Sequence, residues 1–123
     1  MKIKIVAPIF GFNHIKDVEF EQIDELFAKI ENSELALTLI DPSAIREYSF
    51  EIPDYYKDLL EIDDISDISV YNIVLISSDI KKSRINFAAP IIINSKKKIL
   101  VQVALDESKH PEFGLAESIT EYL

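Results

Sequence analysis

The sequence predicts a mainly β protein, a compact and strongly curved antiparallel sheet or β-barrel-like domain with short peripheral helices. Short apolar runs rich in β-branched residues outnumber helical stripes along the chain. Most of these runs are joined by short loops, which favours antiparallel neighbours. A chain of 123 residues that is 48% apolar can fill one core, as a single domain over residues 1–123. Many short strands crowded around one core are expected to curl or close rather than lie flat.

The stretch from Val70 to Asp106 organises the rest. Val70–Ile76, Asn86–Asn94 and Ile99–Leu105 are three apolar runs of strand length. In the last of them Ile99, Val101, Val103 and Leu105 alternate with positions that include Gln102 and Ala104, which predicts burial mainly on one face. Asn94 to Lys98 fits the loop of a hairpin, with Lys96, Lys97 and Lys98 in solvent.

Before this stretch, Lys2 to Val6 alternates lysines with isoleucines and reads as a first strand, broken by Pro8 and Gly11. Val18 and Phe20 fit a brief second one. Ile23, Leu26, Phe27 and Ile30 recur at i, i+3, i+4 and i+7, predicting a short amphipathic helix from Gln22 to Ile30. Asp24 and Glu25 suit the positive end of its dipole. Leu35–Ile40 reads as a strand closed by the turn Asp41-Pro42-Ser43. Tyr48–Ile52 is the cleanest period-two segment and predicts another strand. Pro53 then opens a short helix carrying Tyr55, Tyr56, Leu59 and Leu60, followed by the acidic connection Asp63–Asp67. After the His110-Pro111 turn, Leu115, Ala116, Ile119, Tyr122 and Leu123 predict a short amphipathic helix in the tail.

The net charge is −9, unevenly placed. From Asp17 to Asp67, 16 acids face 3 bases, a net of −13; from Asp79 to Leu105, 1 acid faces 6 bases, a net of +5. That balance argues against direct nucleic-acid binding; taken alone it fits plain solubility first, and otherwise a basic protein partner or the repulsion of RNA from one. The absence of cysteine removes disulfides and thiolate chemistry and agrees with a cytosolic setting. The N-terminus is too short and interrupted for a signal peptide, and no apolar run is long enough to span a bilayer.

No catalytic motif stands out, and neither an enzyme nor a cofactor is expected. Asp63-Asp64 and Asp106-Glu107 are adjacent carboxylates, which in strands face opposite sides and in loops reach water. His14 and His110 are far apart in sequence and set no metal-ligand spacing. Gly11 and Gly114 are the only glycines, so there is no phosphate loop or dinucleotide fingerprint. One alternative is a small hydrolase or lyase using Asp106, Glu107 and His110. It requires those groups to converge in a pocket with a perturbed carboxylate. Another is a purely structural assembly subunit, which predicts stable self-association. Aromatics beside turns, such as Phe10, Phe12, Tyr55 and Phe113, either close the core or anchor a partner.

Several ordered motifs resemble the flagellar assembly factor FliW family. Leu35–Pro42 followed by Tyr48–Ile52 is similar to its hydrophobic strand, Asx-Pro turn and Tyr-x-Phe-x-Ile segment. Tyr71-Asn72-Ile73-Val74 resembles its aromatic-or-Leu-Asn-Ile-Val strand. Asn86-Phe87-Ala88-Ala89-Pro90-Ile91-Ile92-Ile93-Asn94 resembles its most recognisable motif, and Gln102–Asp106 with His110-Pro111 resembles its ending. One departure is the stretch Val18–Phe27, which lacks the Pro/Gly-rich segment of many relatives and resembles a shorter form found in spiral, flagellated bacteria.

The resemblance implies a cytoplasmic, non-enzymatic, β-barrel-like protein that binds flagellin. It also implies binding of the translational repressor CsrA, relieving its repression of flagellin synthesis without occupying the RNA site. On that reading Glu51, Asp54, Asp58, Asp63 and Asp64 face the repressor, whose RNA-binding surface is basic. Tyr55, Tyr56, Phe87 and Pro90 are the apolar candidates for flagellin.

Overall fold

The computed structural model describes all of residues 1–123. Seven strands form a closed ring. They are β1 (Lys2–Ala7), β2 (Asp17–Gln22), β3 (Phe27–Glu31), β4 (Ala36–Ile40), β5 (Ile68–Leu75), β6 (Arg84–Asn94) and β7 (Ile99–Gln102). Each pairs antiparallel with the next, and β1 closes the ring on β7 in parallel. A two-residue strand, β8 (Glu117–Ser118), adds to β6. One helix, α1 (Asp54–Leu59), and four 3₁₀ turns lie between strands or in the tail.

Period-two alternation places the side chains. In β1, Ile3 and Ile5 are buried and Lys2 and Lys4 exposed. Ile3, Ile5, Val18, Ala28, Ile30, Leu39, Tyr71, Ile73, Ile91, Ile93 and Leu100 share one core cluster that fills the barrel. Alternate positions on the last strands form two outer clusters. Ile92, Ile99, Val101 and Val103 pack under α1 and residues 50–62. Ile40, Val74, Ile85 and Phe87 pack under Tyr48 and the C-terminal segment, including Phe113, Ile119 and Tyr122. The β7 run is therefore buried on both faces, not one, because helix and loop cover its outside.

Three expected elements differ. Residues 22–30 form no helix; they make the β2–β3 hairpin, turned by Asp24, whose Oδ1 accepts from Leu26 N at 2.8 Å and Phe27 N at 2.7 Å. Tyr48–Ile52 pairs with no strand. Its alternation reflects Tyr48, Phe50 and Ile52 lying against the barrel wall while Ser49 and Glu51 face water. The tail is β8 and a 3₁₀ turn over Ile119–Glu121, with Leu115 left exposed. Pro53 caps α1 rather than occupying its first turn.

The Asn86–Pro90 motif is a large bulge. Tyr71 pairs with Ile91 and Ile73 with Asn86, so four residues of β6 oppose Asn72 alone. Ladder bonds lost there are replaced one by one. Asn86 Oδ1 accepts from Ala88 N at 3.0 Å and Ala89 N at 3.1 Å. Asn72 Nδ2 donates to Asn86 O, and the Tyr48 hydroxyl to Phe87 O. Phe87 N donates to Gly114 O. Leu105 N donates to Ala88 O and Val103 N to Pro90 O, while Gln102 Nε2 donates to Ala89 O. Pro90 has no N–H to satisfy. The bulge reverses the alternation: Ile85 and Phe87 lie outside the barrel, Ile91 and Ile93 inside.

Candidate functional site

The bulge shapes a groove on the barrel. Its lining includes Ile9, Phe10 and Phe12 from the first loop, Leu37 of β4, Leu75 of β5, Ala88 and Ala89 of the bulge, and Leu105 and Leu115. The groove holds about 430 Å³ and is apolar except for Asn86, Gln102 and Glu107. Gln102, almost fully buried, joins its two sides: Oε1 accepts from Phe10 N at 2.8 Å and Nε2 donates to Ala89 O at 3.0 Å. Large apolar side chains remain open to solvent along it, with Phe10 49%, Leu75 55% and Leu115 68% exposed. Exposed apolar surface gathered in one concavity marks a contact surface more than scattered residues do.

A second hollow, of about 530 Å³, adjoins it. Glu51, Asp54 and Asp106 line it with Lys109 and His110. Ala104 and Leu105 line both hollows and form a common wall.

The expected acidic residues are all exposed, but they differ in freedom. Asp63 pairs with Lys97 at 3.0 Å, and Asp54 lies 3.8 Å from Lys57. Asp64 caps the 3₁₀ turn Ile65–Asp67, and hydrogen bonds from Ser66 N and Oγ lower its pKa. Glu51 and Asp58 make no ion pair. Tyr55 is exposed and meets Tyr56 edge-on at 5.2 Å, while Tyr56 packs partly into the cluster under α1.

Phe87 and Pro90 are not presented to a partner; both are buried. Phe87 sits beneath the Arg46 guanidinium, 4.7 Å from its ring centroid, and packs on Tyr48 and Tyr122. Both residues serve the bulge, so they close the core. Among the exposed apolar residues of the groove, Phe10 was singled out in the sequence, while Leu75 and Leu115 were not named as candidates. Phe10 carried a signal as an aromatic beside a turn, Leu75 lay near the end of the Val70–Ile76 run, and Leu115 belonged to the apolar stripe of the tail, whose register was read as helical.

Asp106, Glu107 and His110 do not converge. Asp106 accepts from Ser108 Oγ at 2.7 Å and Ser108 N at 2.9 Å, bonds that lower its pKa and make it a poor proton donor. Glu107 borders the apolar groove, whereas Asp106 and His110 border the polar hollow. His110 stacks on Phe113 at 5.3 Å and lies 3.5 Å from Glu112.

The fold is a closed β-barrel whose interior is filled by side chains and against which two solvent-open hollows share one wall. The family model described as FliW protein matches residues 1–113. The flagellar assembly factor FliW of Sulfurimonas denitrificans is 41% identical, spanning 100% of this chain and 98% of the relative. That of Helicobacter pylori is 40% identical, over 100% of this chain and 95% of the relative. A crystal structure of the flagellar assembly factor FliW superposes with a TM-score of 0.83 at 21% identity, covering 95% of this chain and 84% of that one. The chain belongs to the FliW family.

Proposed function

We propose that this protein is a flagellar assembly factor acting in the cytoplasm through two protein partners. It binds flagellin in the apolar groove and antagonises a CsrA-type translational repressor through the acidic surface beside it. The observation that carries this reading is the shared wall Ala104–Leu105, which sets an apolar groove against an acidic hollow. Terminal segments of flagellin are amphipathic, and an apolar helix stripe needs a groove of this kind. A basic repressor is drawn by the carboxylates of Glu51, Asp54 and Asp58, which also repel RNA. Magnitudes divide the roles. Covering Phe10, Leu75 and Leu115 supplies about 1–2 kcal/mol each, whereas exposed charge pairs supply about 0–1 kcal/mol. The groove carries affinity, and the acids carry association rate.

The test pairs Leu75→Asp with Leu115→Asp. Both side chains are more than half exposed, so melting temperature is expected to stay near that of the parent. Flagellin affinity is expected to fall at least about tenfold, the effect of losing about 1.4 kcal/mol. Unchanged flagellin binding in a folded double variant removes the groove from the reading.

A further inference from the structure

We propose that Lys2, Lys4, Lys16 and Lys98 form a docking site for a carboxylate-rich segment of a protein partner. This surface is distinct from the groove and the acidic hollow, and the proposal stands independently of the function above. Alternation along β1 puts Lys2 and Lys4 on its exposed face. The β1–β2 loop adds Lys16, and the β6–β7 hairpin adds Lys98, whose carbonyl accepts from Lys4 N at 2.9 Å. With Asp17 these four lysines line a hollow of about 480 Å³ that contains no apolar residue.

Asp17, opposite Lys4 across the β1–β2 ladder, is the one carboxylate in the hollow against four ammonium groups. The chain has 22 acids for 13 lysines and arginines, yet none of these four ammonium groups forms an ion pair. Of the 13 lysines and arginines, Lys29, Arg46, Lys57 and Lys97 have a carboxylate partner, and the four lysines of the hollow are among the nine that have none. Glu19, opposite Lys2 across the β1–β2 ladder, is held by the N-terminal amine at 2.6 Å. Four like charges sharing one concavity repel, and an anion seated among them relieves that repulsion.

Lys98 is a separate observation. Its φ is 56°, in the left-handed region where a hairpin loop ordinarily places glycine or asparagine. Glycine would remove the backbone cost and also the charge. The hairpin divides two charged surfaces: Lys97 reaches Asp63 at 3.0 Å and Glu61 at 3.6 Å, while its neighbour Lys98 lines the basic hollow.

Carboxylates fit better than a nucleic acid. A phosphate backbone needs an extended cationic track, and the net of −13 from Asp17 to Asp67 opposes one. A short acidic segment balances four point charges without crossing that surface.

The measurement is fluorescence anisotropy of a labelled oligoglutamate peptide on the whole protein, beside a single-stranded oligonucleotide of equal charge. The peptide is expected to bind more tightly than the oligonucleotide. Substituting all four lysines by glutamine is expected to weaken peptide binding at least about tenfold, as is raised salt. Lys98→Gly is expected to keep or raise the melting temperature while weakening peptide binding. Absence of peptide binding, or equal affinity in the folded quadruple variant, overturns the proposal. If that variant fails to fold, equal affinity in Lys98→Gly does so. Tighter oligonucleotide binding reassigns the surface to nucleic acid. Self-association lost in the variants, read by sedimentation, reassigns it to the acidic face of a second copy.

Discussion

The Tyr48 hydroxyl donates to Phe87 O at 2.6 Å and accepts from Asn72 Nδ2 at 3.3 Å. Burial pushes its pKa up to about 12. Tyr122 is raised to about 12 as well, by burial first and then by its hydrogen bond to Glu117. A phenol held above its ordinary value of 10.0 contributes stability that is complete below about 10 and lost as pH rises through about 12. Of the five tyrosines, Tyr48 and Tyr122 are therefore expected to ionise last in a phenolate absorbance titration, with folding stability falling across that window. Tyr48→Phe is expected to remove one late step and to cost about 1–2 kcal/mol in a urea melt, by leaving Phe87 O without its donor. Ionisation of all five together near 10 contradicts the buried network. Asn86→Ala is expected to cost more, about 2–3 kcal/mol, because it orphans both Ala88 N and Ala89 N. A urea midpoint near that of the parent contradicts the assigned role of the motif.

Which elements were legible depends on what fixed them. Strands β1, β4, β5, β6 and β7 were readable because apolar β-branched runs are long relative to their turns. The brief β2 at Val18 and Phe20 was readable too, but the turn and the β3 arm of its hairpin were not, because Ile23, Leu26, Phe27 and Ile30 fall by coincidence on a helical spacing. The decisive residue was Asp24, whose carboxylate builds the turn and gains a lowered pKa from the Phe27 and Leu26 amides. Tyr48–Ile52 shows that alternation reports burial, not pairing: a strand needs a free ladder edge, and none is offered there. The tail followed Arg46 rather than periodicity. That guanidinium lies against Phe87, Phe113 and Tyr122 and pairs with Glu117 at 3.4 Å, which fixes residues 113–122 over the barrel. Sequence spacing carries no trace of such long-range contacts. On α1 and the segment before it, the acids were legible as a surface. Reversing Glu51, Asp54 and Asp58 to lysine is expected to slow association with the repressor and flatten its salt dependence, with little change in melting temperature. Stopped-flow mixing at two ionic strengths reads this directly, and unchanged rates remove these residues from the repressor surface.

At the scale of the molecule, the fold turns one chain segment into the meeting point of two hollows. Val103 N and Leu105 N extend the β7 ladder onto the bulge, bonding to Pro90 O and Ala88 O. The wall Ala104–Leu105 is thereby fixed to the same backbone that floors the groove. The signature motif supplies the geometry of the groove, while exposed side chains outside the motif, Phe10, Leu75 and Leu115, line it. That is why the family was readable from buried motif residues and the lining of the groove was not. No helix is long and apolar enough to cross a membrane. The account predicts that a segment seated in the groove and a protein resting on the acidic hollow compete across the common wall. The most direct measurement immobilises the CsrA-type repressor, loads this protein, and titrates flagellin monomer at low and high salt. Displacement by flagellin at both salts, with repressor binding weakened at high salt, is the predicted result. A stable ternary complex, or repressor binding indifferent to salt, contradicts it.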